Sequence, residues 1–501
     1  MMSGFVALGQ RYQVELQSLK AFSDEQPVGA AAASSRRRRS TAAARAVAAV
    51  DPAAMVRMVL SSTVLKSRVD DPLELAVVHT TAAGGPRRAS AAASVAPARP
   101  TGLMLATETV IGEGLRQADL AAAKDYGAKV IDEGLDGKIL LKVDSVSRAF
   151  GLVELLQARE VGSVSPNFLR KVIRLAPSAP VKAWALDKIG VPSAWAITKG
   201  KASIRVAVLD EGVDTKHPSL KAAVVAERDF IGGKSTAMPD GDDAHGTACA
   251  GIVLSRNATF PGVAPRCSLI AVRIAMGDGT PDGWVFDDFA TADAIDWSWR
   301  QGADVLSNSW GGGAPSDAIS RAFARARTQG RNGRGAVVVI AAGNDQIPID
   351  FPGNLPGYVT VGASNHKDER KTRTSSDGEN WWGSNFGATM RVLAPGVFIW
   401  TTDISGAAGY EPTGFTKTFN GTSSSTPHVA GCAALMLSVA PHLSASTIRN
   451  LLGKSAKKIA GQSGWTPELG WGRLDVSKAV AMAKATNAPA GGKKKAARKK
   501  R

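Results

Sequence analysis

Four short stretches of this sequence end on residues that can do chemistry. Val206-Ala207-Val208-Leu209-Asp210 is an apolar, β-branched run that ends on a carboxylate and continues as Glu211-Gly212-Val213-Asp214. Asp243-Ala244-His245-Gly246-Thr247-Ala248-Cys249-Ala250-Gly251 puts an imidazole at the start of a helical pattern. Val339-Ile340-Ala341-Ala342-Gly343-Asn344 is a second buried-looking run, ending on an amide. Phe419-Asn420-Gly421-Thr422-Ser423 is a tight turn that feeds the largely apolar segment from Thr426 through Leu437. A serine at such a point has its hydroxyl exposed at the element's end, where free N–H groups favour developing negative charge. Alone, Gly-Thr-Ser is more often a capping serine on a core helix. The three stretches upstream change that reading: a hydroxyl becomes a nucleophile when a base takes its proton, and imidazole has a suitable pKa.

The elements that must position these residues read as one large α/β unit over residues 183–485. Short β-branched runs at 204–209, 269–274, 305–309, 337–342, 358–363 and 392–394 alternate with helical patterns at 289–300, 318–329 and 426–439. Continuous apolar strands separated by helices predict a mostly parallel sheet covered by helices on both faces. In such sheets sites gather at the carboxyl ends of the strands. Ahead of this unit, residues 103–175 show helix-like stretches at 115–126 and 147–159 and strand-like stretches at 138–143 and 161–168. A β/α module this small gains stability by docking on a partner. Residues 1–102, rich in Ala, Ser and Arg, read as a low-complexity, mostly flexible leader, with 59–65 and 73–78 able to order locally and Met104 as an alternative start. Residues 486–501 read as a basic, disordered tail.

Charge and cysteine content exclude several classes. The chain has 501 residues, 44% hydrophobic and 21% charged, as an ordinary globular protein does. Its formal charge of +17 sits in the flanks: residues 1–100 carry 13 basic and 7 acidic side chains, and Lys493–Arg501 holds seven positive charges. A nucleic-acid groove would need that excess on a folded face, so no specific nucleic acid is expected. Cys249, Cys267 and Cys432 are too few for a disulfide framework and lack metal-site spacing. No apolar run reaches membrane-spanning length, and the N-terminus lacks a signal-peptide pattern. The expectation is no membrane association and a cytoplasmic default, with a non-standard export route open.

The four stretches, in this order on α/β texture, resemble the subtilisin-like serine proteases (subtilases, peptidase S8 type) over roughly residues 103–485. The resemblance implies a subtilisin-like fold and a serine endopeptidase that works through an acyl-enzyme on Ser423. His245 is then general base and acid, and Asp210 the carboxylate that fixes its tautomer. Asn344 donates to the oxyanion together with the Ser423 N–H. Asp214 or Asp243 could replace Asp210, but only Asp210 ends the apolar strand. Ser309, Trp310 and Gly311 resemble a strand that pairs with substrate backbone, with Gly279 on the facing strand. Ala342 and Gly343, with Ser309–Gly312, flank the pocket for the residue before the scissile bond. Residues 103–172 resemble the inhibitor-type propeptide, a small α+β ferredoxin-like domain. That implies a zymogen whose propeptide is folding template and temporary inhibitor, removed autocatalytically near 172–182. Polypeptide substrates and the intramolecular propeptide are the partners expected, and the protein is expected to be a monomer.

Some positions depart from the family. Glu211 follows Asp210 where Ser or Thr is usual, which predicts an altered pH optimum. Cys249, four residues after His245, matches the thiol-bearing subtilases. The family's His-Pro-Asp-Leu, which contributes a calcium ligand, reads His217-Pro218-Ser219-Leu220 here, and the loop at 255–261 is short. The expectation is therefore no metal and no cofactor, with the main calcium site absent. Trp310 stands where leucine is common, leaving pocket preference open.

Overall fold

The computed structural model describes residues 2–8, 10–17, 74–80, 100–160, 162–173, 183–277, 283–459 and 461–487. Among the described residues the N-terminal part contains seven strands, β1 (Met2–Ala7), β2 (Gln10–Gln17), β3 (Glu74–Thr80), β4 (Pro100–Glu113), β5 (Lys129–Glu133), β6 (Lys138–Lys142) and β7 (Ser163–Ile173). Its helices are α1 (Gln117–Asp125) and α2 (Val146–Gln157). β4 pairs with both β6 and β7, and β5 with β6, all antiparallel. The order β7-β4-β6-β5 with a helix after β4 and another before β7 is the β-α-β-β-α-β arrangement of a ferredoxin-like domain. Its core includes Val110, Leu141, Phe150, Leu152, Val153 and Phe168.

The leader departs from its expected flexibility at β1 and β2, while β3 falls on the 73–78 stretch expected to order locally. β1, β2 and β3 lie within residues 1–102 and extend the module's sheet, β3 pairing with β4. Tyr12, Val14 and Leu16 are buried while Arg11, Gln13 and Glu15 are exposed, the two-residue period of a strand with one covered face. The stretch 59–65 and the tail from 488 lie outside the described residues.

The second part begins at Ala183. Its strands are β8 (Arg205–Asp210), β9 (Val224–Asp229), β10 (Ser268–Arg273), β11 (Ala275–Gly277), β12 (Gly283–Asp287), β13 (Val305–Asn308), β14 (Val337–Ala341), β15 (Val359–Ser364), β16 (Met390–Pro395), β17 (Ile399–Thr402) and β18 (Phe415–Phe419). Seven of these form one sheet in the order β16-β15-β14-β13-β8-β10-β9, and every pairing in it is parallel. The helices that matter here are α3 (His245–Leu254), α4 (Asp288–Arg300), α5 (Asp317–Gln329), α6 (Thr422–Val439), α7 (Ala445–Ser455) and α8 (Val476–Ala485).

The sheet is covered on both faces, as continuous apolar strands require. On one face α3, α6, α7 and α8 pack with Val206, Val208, Leu269 and Val339. On the other α4 and α5 pack with Leu209, Ile270, Leu306 and Ile340. α3 and α6 are buried along essentially their whole length, which explains why neither shows a polar stripe. No described helix is long and apolar enough to cross a membrane.

The two parts share hydrogen bonds. β12 pairs antiparallel with β7, Trp284 opposite Val172 and Asp287 opposite Leu169, so the module's sheet continues into the β11–β12 hairpin. Beside that seam, Lys138 of β6 is fully buried against Asp296 of α4 and lies 3.4 Å from Asp293. Arg325 of α5 pairs with Asp296 at 2.7 Å and with Glu113 and Asp136 of the module.

Candidate active site

Asp210 is the last residue of β8, delivered to the sheet's carboxyl edge by four buried residues. His245 is the first residue of α3, and its Nδ1 lies 2.9 Å from Asp210 Oδ1, with both side chains buried. A carboxylate oxygen can only accept there, so Nδ1 carries the proton and Nε2 is left as the basic nitrogen. Two further features hold the helix start against the strand end. Glu211 Oε1 accepts the His245 backbone N–H at 2.7 Å, filling a donor that the first turn cannot satisfy itself. Gly246 leaves no room for a side chain, since a Cβ there would stand 2.0 Å from the Gly212 carbonyl and 2.9 Å from Asp210 Cβ. The imidazole is walled by Trp284, edge-on at 4.6 Å, and by Phe419 at 5.3 Å.

Ser423 is the second residue of α6, after Gly421 has turned the chain with φ 104°. Pro427 lies inside that helix and has no N–H to give the carbonyl four residues back, which is that of Ser423. That carbonyl is taken instead by Ser309 Oγ at 3.0 Å and by Cys249 Sγ at 3.6 Å. The Cys249 sulfur also lies 3.7 Å from His245 Nδ1, so one buried thiol touches both the serine's backbone and the imidazole. The Ser423 hydroxyl donates to the Ser309 carbonyl at 3.1 Å rather than to His245. Burial raises the Cys249 thiol well above its ordinary pKa, with the Asp210 charge adding to the effect, so it is held as the neutral thiol.

Asn344 follows β14. Its side-chain oxygen accepts from both the backbone N–H and the hydroxyl of Thr422, at 2.8 and 2.9 Å. That fixes which end of the amide is the donor. Asn344 Nδ2 and the Ser423 N–H both border Gly421: a Cβ there would lie 3.5 Å from the first and 3.4 Å from the second. Two N–H donors at the mouth of a helix N-terminus can hold an oxyanion.

The other residues singled out by sequence divide. Ser309 meets Ser423 directly, as above, and the Gly343 N–H donates to Thr422 Oγ1 at 3.2 Å. Gly311 and Ala342 sit on the same two strand ends, after β13 and after β14. Trp310 is different: its indole is buried between Phe286 at 5.5 Å and Phe323 at 5.9 Å, in the core over α5, so only its backbone remains for a substrate. Gly279 lies outside the described residues. The described strand that pairs with an extended segment beside the site is β12. Trp284 and Phe419, the walls of His245, were missed by sequence reasoning. Trp284 had a signal, the apolar run Trp284-Val285-Phe286, but nothing in it said which partner strand would bring it to the imidazole. Neither Asp214 nor Asp243 replaces Asp210: Asp214 accepts from Ser405, and Asp243 lies beside Arg273 at 3.7 Å. His428 is buried in α6 with Nδ1 2.8 Å from the Ser424 carbonyl, and burial pushes it down to about 4, which keeps it neutral.

Ser219, where the resemblance puts a calcium ligand, offers a hydroxyl in place of a carboxylate. Its carbonyl accepts Arg256 N–H at 3.0 Å, and the Arg256 guanidinium donates to Pro265 in the same region. Calcium takes about six to eight oxygens, so this donor set does not fit it, and calcium oxygens would have to come from elsewhere in the chain.

Comparisons with known proteins bear on these points. The model of the subtilase family matches residues 201–472. A calcium-dependent protease of Nostoc sp. is 32% identical over 331 residues, 58% of this chain and 48% of that protein. Thermitase of Thermoactinomyces vulgaris is 33% identical over 298 residues, 59% of this chain and 94% of thermitase. The crystal structure of fervidolysin from Fervidobacterium pennivorans, a keratinolytic enzyme related to subtilisin, superposes with a TM-score of 0.61 at 24% identity. It covers 74% of this chain and 60% of fervidolysin, and speaks for the fold. The chain thus spans about half the length of the calcium-dependent proteases it matches. Their name also corrects the expectation of no cofactor: relatives this similar are named calcium-dependent, so a change at the one ligand position Ser219 does not exclude calcium. The chain belongs to the subtilase family of subtilisin-like serine proteases.

Proposed function

We propose that this protein is a serine endopeptidase that cleaves polypeptides through an acyl-enzyme on Ser423. In this reading the Ser423 hydroxyl rotates from the Ser309 carbonyl to His245 Nε2 and gives it the proton as Oγ bonds to the scissile carbonyl carbon. The carbonyl π pair moves to its oxygen, which Asn344 Nδ2 and the Ser423 N–H receive. Collapse of that intermediate breaks the C–N bond, and His245 returns the proton to the leaving amine. Water, activated by the same imidazole, then frees the acid product. Asp210 holds the ring and stabilises the imidazolium. The observation that carries the reading is the 2.9 Å Asp210–His245 contact next to a serine whose neighbouring amide, Asn344, has its donor end fixed.

The N-terminal module is in this reading an inhibitor that the chain removes from itself in the connector near 172–182. Its support is the ferredoxin-like topology and the β7–β12 pairing beside His245. A fluorophosphonate should label wild type at Ser423 and leave Ser423→Ala untouched. Intact masses should show a shortened wild type and a full-length Ser423→Ala. Absence of labelling sinks the protease reading, and identical full-length masses sink self-removal.

Calcium dependence belongs to the proposal because of the relatives that carry it in their name. Treatment with a calcium chelator should lower the thermal midpoint and the labelling rate, with both restored by added calcium. A chelated sample that melts and labels unchanged would remove calcium from the account.

A further inference from the structure

Beside the site, one carboxyl is left without a charge partner. Asp350 lies in the loop from β14 to β15, and that loop spans the gap between the ends of β13 and β14. On one side the Gly312 N–H donates to the Phe351 carbonyl at 2.7 Å, and a Cβ on Gly311 would lie 3.3 Å from the same carbonyl. On the other side a Cβ on Gly353 would meet the Ala341 carbonyl at 2.9 Å and the Asp350 carbonyl at 3.4 Å. Asp350 therefore sits between the two segments, Ser309–Gly312 and Ala341–Asn344, that border the serine.

Its side chain is half-buried. Among the described residues its carboxylate meets only its own backbone N–H, and no Lys or Arg acts on it. Burial first, and then the negative charge of Asp345, push its carboxyl up to about 7. Asp345, the residue after Asn344, is exposed and faces Arg373. An acid under this pressure is relieved by a cation brought into the gap. In the protease reading, the carbonyl held by Asn344 and Ser423 belongs to the substrate residue whose side chain enters the pocket that Ser309–Gly312 and Ala342–Gly343 flank, the gap this loop spans. A long cationic side chain on that residue carries the charge that would complement Asp350.

We propose that Asp350 is a specificity-determining residue and selects polypeptides with Lys or Arg immediately before the scissile bond. The inference rests on the protease reading of Ser423, His245 and Asp210. It also fits the chain's own connector, which carries Arg174 and Lys182.

The test uses the purified full chain and tetrapeptide nitroanilides that differ only in the residue before the leaving group: Lys, Arg, Met or Phe. Wild type should favour Lys and Arg over Met in kcat/KM, and Asp350→Asn should lower that ratio on the order of ten- to a hundredfold. In wild type the ratio should be largest above pH 7 and shrink as the pH falls through it, because protonation neutralises a carboxyl whose pKa is raised. Wild type that prefers Met or Phe, or a Lys-to-Met ratio unchanged in Asp350→Asn, overturns the assignment while fluorophosphonate labelling keeps the protease reading intact. A chain that neither labels nor cleaves any of the four peptides overturns both.

Discussion

Asn344 shows how a single side chain acquires its role from a neighbour. Both of the hydrogen bonds to its oxygen come from Thr422, the residue next to Ser423, so the donor end of the amide and the serine N–H are set by one turn. Asn344→Ala should lower kcat on the order of a hundred- to a thousandfold, the loss known for removing such a donor in subtilisin itself, with KM little changed. Steady-state kinetics on one peptide decides it; a rise in KM with kcat unchanged would place Asn344 outside the reaction. Glu211 is a residue whose type departs from the family's usual Ser or Thr. Its carboxyl group is buried and takes the His245 N–H at the start of the imidazole's helix. Replacing it with Ser removes that acceptor and should alter the pH–rate profile for cleavage of one peptide. A superimposable profile would show that Glu211 does not influence the imidazole. Asp210, His245 and Ser423 were legible from types and order, whereas Trp284 and Phe419 were not, because a wall is defined by what it faces.

At the scale of elements, apolar runs located the sheet well: the expected 269–274 and 305–309 are β10 and β13 within a residue. α6 begins at Thr422 rather than at the expected Thr426, since Ser309 and Cys249 take up the carbonyl that Pro427 cannot bond. β2 escaped notice although its alternation is strict, because its low-complexity surroundings read as flexible and its partners lie far along the chain. The docking of β6 on α4 and α5 carries its own prediction. Burial opposes ionisation of Asp296, but Arg325 and Lys138 outweigh it and hold the carboxyl below its usual range. That contribution is complete above about pH 4 and is lost as the pH falls through the depressed value. In a Ser423→Ala background, Lys138→Met should leave Asp296 with Arg325 as its cation and the Trp299 N–H as a neutral donor, and weaken the module's docking by about 1–3 kcal/mol. Hydrogen exchange in β4 and β7 reads this directly, and unchanged protection would mean that the Lys138 pair adds nothing to docking.

For the molecule as a whole, what decides the arrangement is a sheet that does not stop at the module's edge. β7 hands its hydrogen bonds to β12, and β12 lays Trp284 on His245. If the proposed self-removal takes place, cutting the connector severs the covalent link and leaves the β7–β12 pairing in place, so freshly nicked protein should stay plugged by its own fragment. Progress curves should then start with a lag that shortens when the sample is diluted or when a little mature enzyme is added to digest the fragment. On that proposal the same seam would make maturation contagious: the first molecule to shed its plug would unlock the rest.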